Sequence, residues 1–218
     1  MIKLDNISFR YGKALILNDI SLNAESGKCI VIAGPNGSGK STLLSIIAGA
    51  RKASSGKVEV CDKIGYVPQG IALFEDLSVK ENVKFFAAVS KTKIPDLSKL
   101  PFNLTPIANK KVSKLSTGMK KRVSIVCALV SDPSVIIFDE PCAALDIIYR
   151  DELLEMINKL KKNGKTIIYV GHDFNEISRI YDTILLIKNG NTVFYKTKDE
   201  LSLSSDELEE YVRKALIS

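Results

Sequence analysis

The 218-residue chain has no tryptophan, one histidine, and four cysteines scattered along its length. Cys29, Cys61, Cys127 and Cys142 form no C-x-x-C pair, and His172 is not near any of them in sequence. This spacing argues against a metal cage or a disulfide framework, so reduced and buried thiols are the expectation. No stretch approaches the ~20 apolar residues that a bilayer-spanning helix requires. The opening Met1-Ile2-Lys3-Leu4-Asp5-Asn6 lacks the charged-then-apolar layout of a signal peptide, so a cytosolic chain is expected. Neither an internal repeat nor a low-complexity tract is present, which leaves one functional unit.

What remains is globular in character. Hydrophobic residues make up 45% and charged residues 26%, which at this length is enough for one complete core. The net charge of +6 favours an acidic partner, an anionic membrane face or nucleic acid, without choosing among them. A solvated basic face accounts for it equally well.

Short strand-like segments dominate the first third: 2–9, 16–23, 28–33, 57–60 and 63–67, separated by glycine-containing turns. From about residue 70 to 130 the character changes. Val79–Val89 reads as a helix with Ser78 as cap and Glu81 three positions on, the capping-box spacing. A connector with Pro95, Pro101 and Pro106 follows, then a second helix near 118–130. Strand–helix alternation resumes with strands at 135–139, 166–170, 183–187 and 192–195 and helices at 147–162, 174–180 and 205–216. Such alternation implies an α/β fold with a mostly parallel sheet flanked by helices. Residues 70–130 are expected as an inserted α-helical subdomain, with 1–69 and 131–218 forming the core.

The most informative segment is Gly34-Pro35-Asn36-Gly37-Ser38-Gly39-Lys40-Ser41-Thr42, which matches the G-x-x-x-x-G-K-[ST] pattern. An apolar strand precedes it and a helical run closed by Gly49 follows. In that setting the loop's N–H groups and the helix N-terminus converge on phosphate oxygens. Lys40 is placed to reach the β- and γ-phosphates, and the Ser41 hydroxyl to ligate Mg²⁺. A second element, Val135-Ile136-Ile137-Phe138-Asp139-Glu140, is an apolar strand delivering two acids at its C-terminal edge, where open α/β sheets bind ligands. Asp139 suits Mg²⁺, and Glu140 suits deprotonation of a water in line with the γ-phosphate.

With these motifs in order, the chain resembles the ATPase subunits of ABC transporters over nearly its whole length. The resemblance implies a P-loop core joined to an N-terminal antiparallel β subdomain, with ATP and Mg²⁺ as cofactors. It implies that Tyr11 stacks on adenine. It also implies that Gln69 touches the metal and the attacking water, and that His172 bonds the γ-phosphate and positions the catalytic acid. Leu115-Ser116-Thr117-Gly118-Met119 is similar to the family signature Leu-Ser-Gly-Gly-Gln, which binds ATP held by the opposite subunit through Ser116 and the N–H groups near Gly118. Read on its own, Ser116 is a good helix cap. Thr117 and Met119 depart from the pattern, and Thr117 requires ordinary backbone there because a β-branched residue resists positive φ. Ala143-Ala144-Leu145-Asp146 resembles the loop that contacts the partner subunit.

The resemblance therefore implies a head-to-tail homodimer or heterodimer, a separate integral-membrane subunit, and a peripheral position on the inner face of the membrane. A Gly-Met ending followed by basic residues leans towards export. The short tail after the core argues against an added regulatory domain. A non-transport ATPase acting on nucleic acid, ribosomes or a protein assembly stays open. The cluster Lys110, Lys111, Lys114, Lys120, Lys121 and Arg122 would serve it, although no aromatics interleave and nucleic acid is not expected.

Overall fold

A computed structural model describes residues 1–60 and 63–217. Cys61 lies outside them. Two sheets organise the chain. The first is antiparallel and three-stranded, in the order β2 (Ala14–Ala24), β1 (Ile2–Tyr11), β4 (Ser55–Val60). Alternation along β1, reset by an irregularity between Leu4 and Ile7, buries Ile2, Leu4, Ile7 and Phe9 and leaves polar neighbours outside, the pattern of a half-solvated sheet.

The second sheet has the order β5 (Ile64–Val67), β6 (Val135–Asp139), β7 (Thr166–Val170), β3 (Cys29–Ala33), β8 (Thr183–Lys188), β9 (Asn191–Thr197). All pairings except β8–β9 are parallel. Every residue of β3, β6 and β7 is buried, as expected of continuous aliphatic strands covered on both faces. Each valine, isoleucine and phenylalanine among them contributes about 1.5–3 kcal/mol through burial.

Seven α-helices are described: α1 (Lys40–Ile47), α2 (Val79–Val89), α3 (Thr117–Leu129), α4 (Ile147–Lys162), α5 (Phe174–Ile180), α6 (Lys198–Leu201) and α7 (Ser205–Ile217). The expected capping box starts α2, with the Ser78 hydroxyl accepting from the Glu81 N–H and the Glu81 carboxylate accepting from the Ser78 N–H at 2.8 Å. The proline-containing connector holds three short 3-10 turns, at 97–99, 105–107 and 112–114, where helix cannot propagate.

Two expectations need correction. The helix expected after the phosphate loop begins inside it, at Lys40, because the loop's last glycine already serves as its N-cap. The cluster at 110–122 is not one basic surface. Lys120 pairs with Glu75 at 2.5 Å, Arg122 lies over the Tyr149 ring at 3.6 Å, and Lys121 is only 1% exposed. Only Lys110, Lys111 and Lys114 are exposed there.

Candidate functional site

Parallel register assembles the site. Val67 pairs with Phe138, so Gln69 and Glu140, each two residues further on, emerge side by side from β5 and β6. Asp139 pairs with Val170, and the Glu140 N–H donates to the Val170 carbonyl at 2.9 Å, which brings His172 beside Glu140 at the end of β7. Next to β7, β3 opens into the phosphate loop. Four consecutive strands thus deliver their C-terminal ends to one rim, the usual place for ligand chemistry in such sheets.

That rim borders an open cleft of about 500 Å³ lined by Tyr11, Lys40, Ser41, Gln69, Asp139 and Glu140 among others. Asn36, Gly37, Gly39 and Thr42 complete its loop side. Gly34 has φ 148°, and a Cβ there would stand 2.1 Å from the Ile187 carbonyl and 2.9 Å from Ser38 Oγ. Only glycine lets the loop pass so close to β8. Ser38 is buried, and its hydroxyl has no hydrogen-bond partner among the described residues. An unpartnered buried hydroxyl inside such a loop is consistent with a ligand oxygen completing it. Lys40 is buried too, and its ammonium donates to the carbonyls of Gly34 (2.7 Å) and Pro35 (2.9 Å). Burial pulls the Lys40 ammonium below the ordinary lysine range, against the opposing pull of Glu140 and Asp139.

The two acids sit differently. Asp139 is buried, accepts from the Tyr66 hydroxyl at 3.2 Å, and is raised above the usual aspartate range chiefly by burial. Glu140 has φ 46°, a left-handed conformation that a glutamate adopts at a cost of ~1–3 kcal/mol. Both its oxygens are engaged: Oε2 accepts from Gln69 Nε2 at 3.0 Å, and His172 Nε2 lies 2.9 Å from Oε1. Against an ionised carboxylate, which only accepts, His172 must carry its proton on Nε2. A carboxylate clamped at both oxygens has a fixed orientation and free lone pairs towards the cleft. Ser41, Asp139 and Gln69 together offer hydroxyl, carboxylate and amide oxygens, the hard donor set that suits Mg²⁺.

Behind the clamp, the Tyr169 hydroxyl donates to Glu176 at 2.9 Å, and Arg150 bridges to Glu176 at 3.2 Å. Cys142 faces the same tyrosine, and burial pushes its thiol up to about 12. Cys29 and Cys127 are likewise buried free thiols.

Tyr11 ends β1 with its ring 47% exposed, edge-on to Phe9 at 4.8 Å and faced by the Arg51 guanidinium at 5.1 Å. Ser116 caps α3 by accepting from the Met119 N–H at 3.3 Å, as the bare sequence allows. Gly118 packs against the loop after the acids, where a Cβ would lie 2.9 Å from the Ala144 carbonyl. Thr117 has no positive φ, as its branching demands. Ser116 and Gly118 do not line the cleft that holds Lys40. Sequence reasoning gave no site role to Tyr66, Arg51 or Lys121. Each acts across a long sequence separation, and for Tyr66 the local signal was its place before Val67-Pro68-Gln69.

Residues 17–143 match the family description "ABC transporter". The chain is 35% identical over 200 residues to an uncharacterized ABC transporter ATP-binding protein of Methanocaldococcus jannaschii, covering 89% of this chain and 76% of that one. It is 32% identical to the lantibiotic transport ATP-binding protein SrtF of Streptococcus pyogenes, with 100% and 98% covered. Among solved structures, an ATP-binding subunit of an ABC transporter superposes with a TM-score of 0.87 at 26% identity, covering 98% of this chain and 99% of that one. A dimeric ATP-binding cassette in a post-hydrolysis state with ADP and Pi gives 0.80 at 28% identity, covering 90% and 98%. The acids, phosphate loop and helical insertion thus sit on the fold of these cassettes, and the chain belongs to the ABC transporter family as an ATP-binding, ATP-hydrolysing subunit.

Proposed function

We propose that two copies of this chain, or this chain and a homologue, close head to tail over two ATP molecules, so that each active site is shared. The supporting observation is the division of the machinery. The cleft gathers Tyr11, Lys40, Gln69, Asp139 and Glu140, whereas the capped turn at Ser116 is not among the residues that line it. An anion-binding helix terminus set apart from its own cleft fits a second copy's γ-phosphate. A similar cassette is dimeric with ADP and Pi bound, which supports pairing of two chains.

Within each site Tyr11 stacks on the adenine, and the loop N–H groups and Lys40 hold the phosphates. Ser41, Gln69 and Asp139 would hold Mg²⁺, which supplies neutralisation of phosphate charge when bound. Glu140, oriented by Gln69 and His172, takes the proton of the attacking water. Loss of the γ-phosphate removes the bonds that bridge the two chains, so they part.

Mixing separates this reading from a self-contained site. Lys40→Met and Ser116→Glu proteins are each expected to be inactive. Their mixture is expected to regain turnover, because one of its two sites pairs an intact Lys40 with an intact Ser116. No recovery on mixing would refute shared sites.

The membrane partner fits the inserted helices. Residues 70–130 hold eleven Lys/Arg and four Asp/Glu, so this segment carries the entire positive surplus of the chain. On it Phe74 and Phe85 are exposed with ring centroids 4.6 Å apart, and Val89 extends the apolar ridge one turn along α2. Asn82 pins the Phe74 backbone through bonds of 2.9 and 3.0 Å, so the ridge is preformed and tied to the segment leaving Gln69. Lys80 and Lys84 are exposed on the same helix. An apolar segment bearing acidic residues, supplied by the membrane subunit, matches this chemistry, which supports a peripheral position on the inner face. Phe85→Asp is expected to keep basal ATPase activity yet lose most of its association with the membrane fraction, as read by membrane-fraction immunoblots. Export is the favoured direction on the Gly-Met signature ending and the linearmycin resistance and lantibiotic transport relatives at 33% and 32% identity, while sulfate/thiosulfate import proteins match at 33–34%.

A further inference from the structure

Lys121 is the largest buried charge that the chemistry above does not use. It is 1% exposed, and among the described residues no carboxylate forms a salt bridge with it. Its ammonium donates instead to two backbone carbonyls, Pro68 at 2.7 Å and Gln69 at 3.2 Å. A buried ammonium is expensive, and a methionine of similar volume would fill the space without that cost. Its placement asks for a return other than stability.

The covalent surroundings identify it. Lys121 lies five residues along α3 from the Ser116 cap, about 7.5 Å of helix rise. At its far end it grips the peptide of Gln69, whose side chain bonds Glu140 Oε2 at 3.0 Å. One rigid helix thus joins the turn that meets the partner's nucleotide to the residue that orients the catalytic acid. We propose that Lys121 is a positioning residue: it ties the signature helix to the Gln69 backbone, so that seating of Ser116 on the opposite nucleotide sets the Gln69–Glu140 bond. This rests on the reading of Glu140 as the base and of the site as shared.

Lys121→Met removes the tether and keeps the volume. The expected result is a fall in kcat of about ten- to a hundredfold, the effect of ångström-scale misplacement at a reacting centre. KM for ATP is expected to stay within about twofold, since no phosphate contact is touched. Lys121→Arg, which can still donate to both carbonyls, is expected to recover kcat to within about threefold. In a Gln69→Ala background Lys121→Met is expected to add less than about twofold, because its route to Glu140 has already been cut. A kcat within twofold of the parent would overturn the tether. So would a KM rising in step, or an undiminished loss in the Gln69→Ala background. Should the methionine variant not fold, Lys121→Gln, which keeps an N–H donor and lacks the charge, is held to the same three criteria against Lys121→Arg. Glu140→Gln keeps the two failures apart. Turnover surviving in that variant sinks the assignment of the base, whereas an inert Glu140→Gln beside a normal Lys121→Met sinks the tether alone.

Discussion

Glu140→Gln is expected to bind ATP within a few-fold of the parent affinity and to hydrolyse it at least a thousandfold more slowly, about the upper range for a general base. It should also accumulate as a dimer when saturated with Mg-ATP. The substitution changes the chemistry more than the shape. Glutamine is isosteric and meets the same demand for positive φ at this position. Its amide oxygen can still accept from one of the two groups that hold the native carboxylate, Gln69 at 3.0 Å or His172 at 2.9 Å. What disappears is the ability to take a proton from water. The bridging γ-phosphate then persists, and the closed state with it. Phosphate release measures the first effect, and light scattering on a sizing column the second. A monomeric profile in Mg-ATP would defeat the head-to-tail arrangement, and undiminished phosphate release would remove Glu140 from the role of base.

The clamp explains why Glu140 is exposed to substitution in a way that Asp139 is not. Asp139 is buried, with the Tyr66 hydroxyl on it at 3.2 Å, and it lies within the electrostatic reach of Lys40 and Lys121. It is a fixed charge in a fixed place, suited to a cation. Glu140 instead sits at the mouth, held only by side chains that come from other strands. Its orientation therefore depends on what moves Gln69 and His172, and this leaves room for control by the helical insertion.

Much of the site was legible because its parts are contiguous in the chain. The phosphate loop, the apolar strand ending in two acids, and the Ser78–Glu81 and Ser116 caps are local patterns with local causes, and the structure places them in the elements that the sequence implies. The strands β6 and β7 and the helices α2, α4 and α5 fall where periodicity places them, because their apolar runs are long and cleanly bounded. The short helix α6 and the 3-10 turns between 97 and 114 escaped, being too short to show a period.

Contacts set by register were not readable. Tyr66 reaches Asp139 only because β5 lies beside β6, and Arg51 faces Tyr11 only because the loop after α1 returns to the end of β1. Lys121 was grouped with its basic neighbours as a possible nucleic-acid contact. The helical step contradicts that reading: Lys121 shares a buried face with Ser124 and Ile125, three and four residues on. A lysine in an inward position of an amphipathic helix was the signal available.

Lys40→Met is expected to remove most of the ATP-dependent stabilisation while leaving the empty protein no less stable than the parent. In the parent the ammonium is folded back on the Gly34 and Pro35 carbonyls at 2.7 and 2.9 Å, so a buried cation is met only by neutral acceptors. Burial lowers its pKa. The sign follows from proton binding: a lysine lowered on folding binds fewer protons in the native than in the unfolded chain at alkaline pH. Its contribution is therefore unfavourable below its folded pKa and relaxes as pH rises from there to the ordinary lysine value. Methionine removes that penalty along with the two hydrogen bonds, so the two losses oppose each other in the empty protein. With nucleotide nothing opposes the loss, because the cation that meets the β- and γ-phosphates is gone. Stabilisation by a ligand at a hundred times its Kd is about 2.7 kcal/mol, and a fall in affinity of about a hundredfold reduces it to ~0.4 kcal/mol at the same concentration. Melting curves with and without ATP, taken at pH 7 and again near pH 10, test both halves. The parent's Tm without ATP should rise relative to that of Lys40→Met between the two pH values, whereas a full ATP-induced rise in the variant would show that Lys40 does not hold the phosphates.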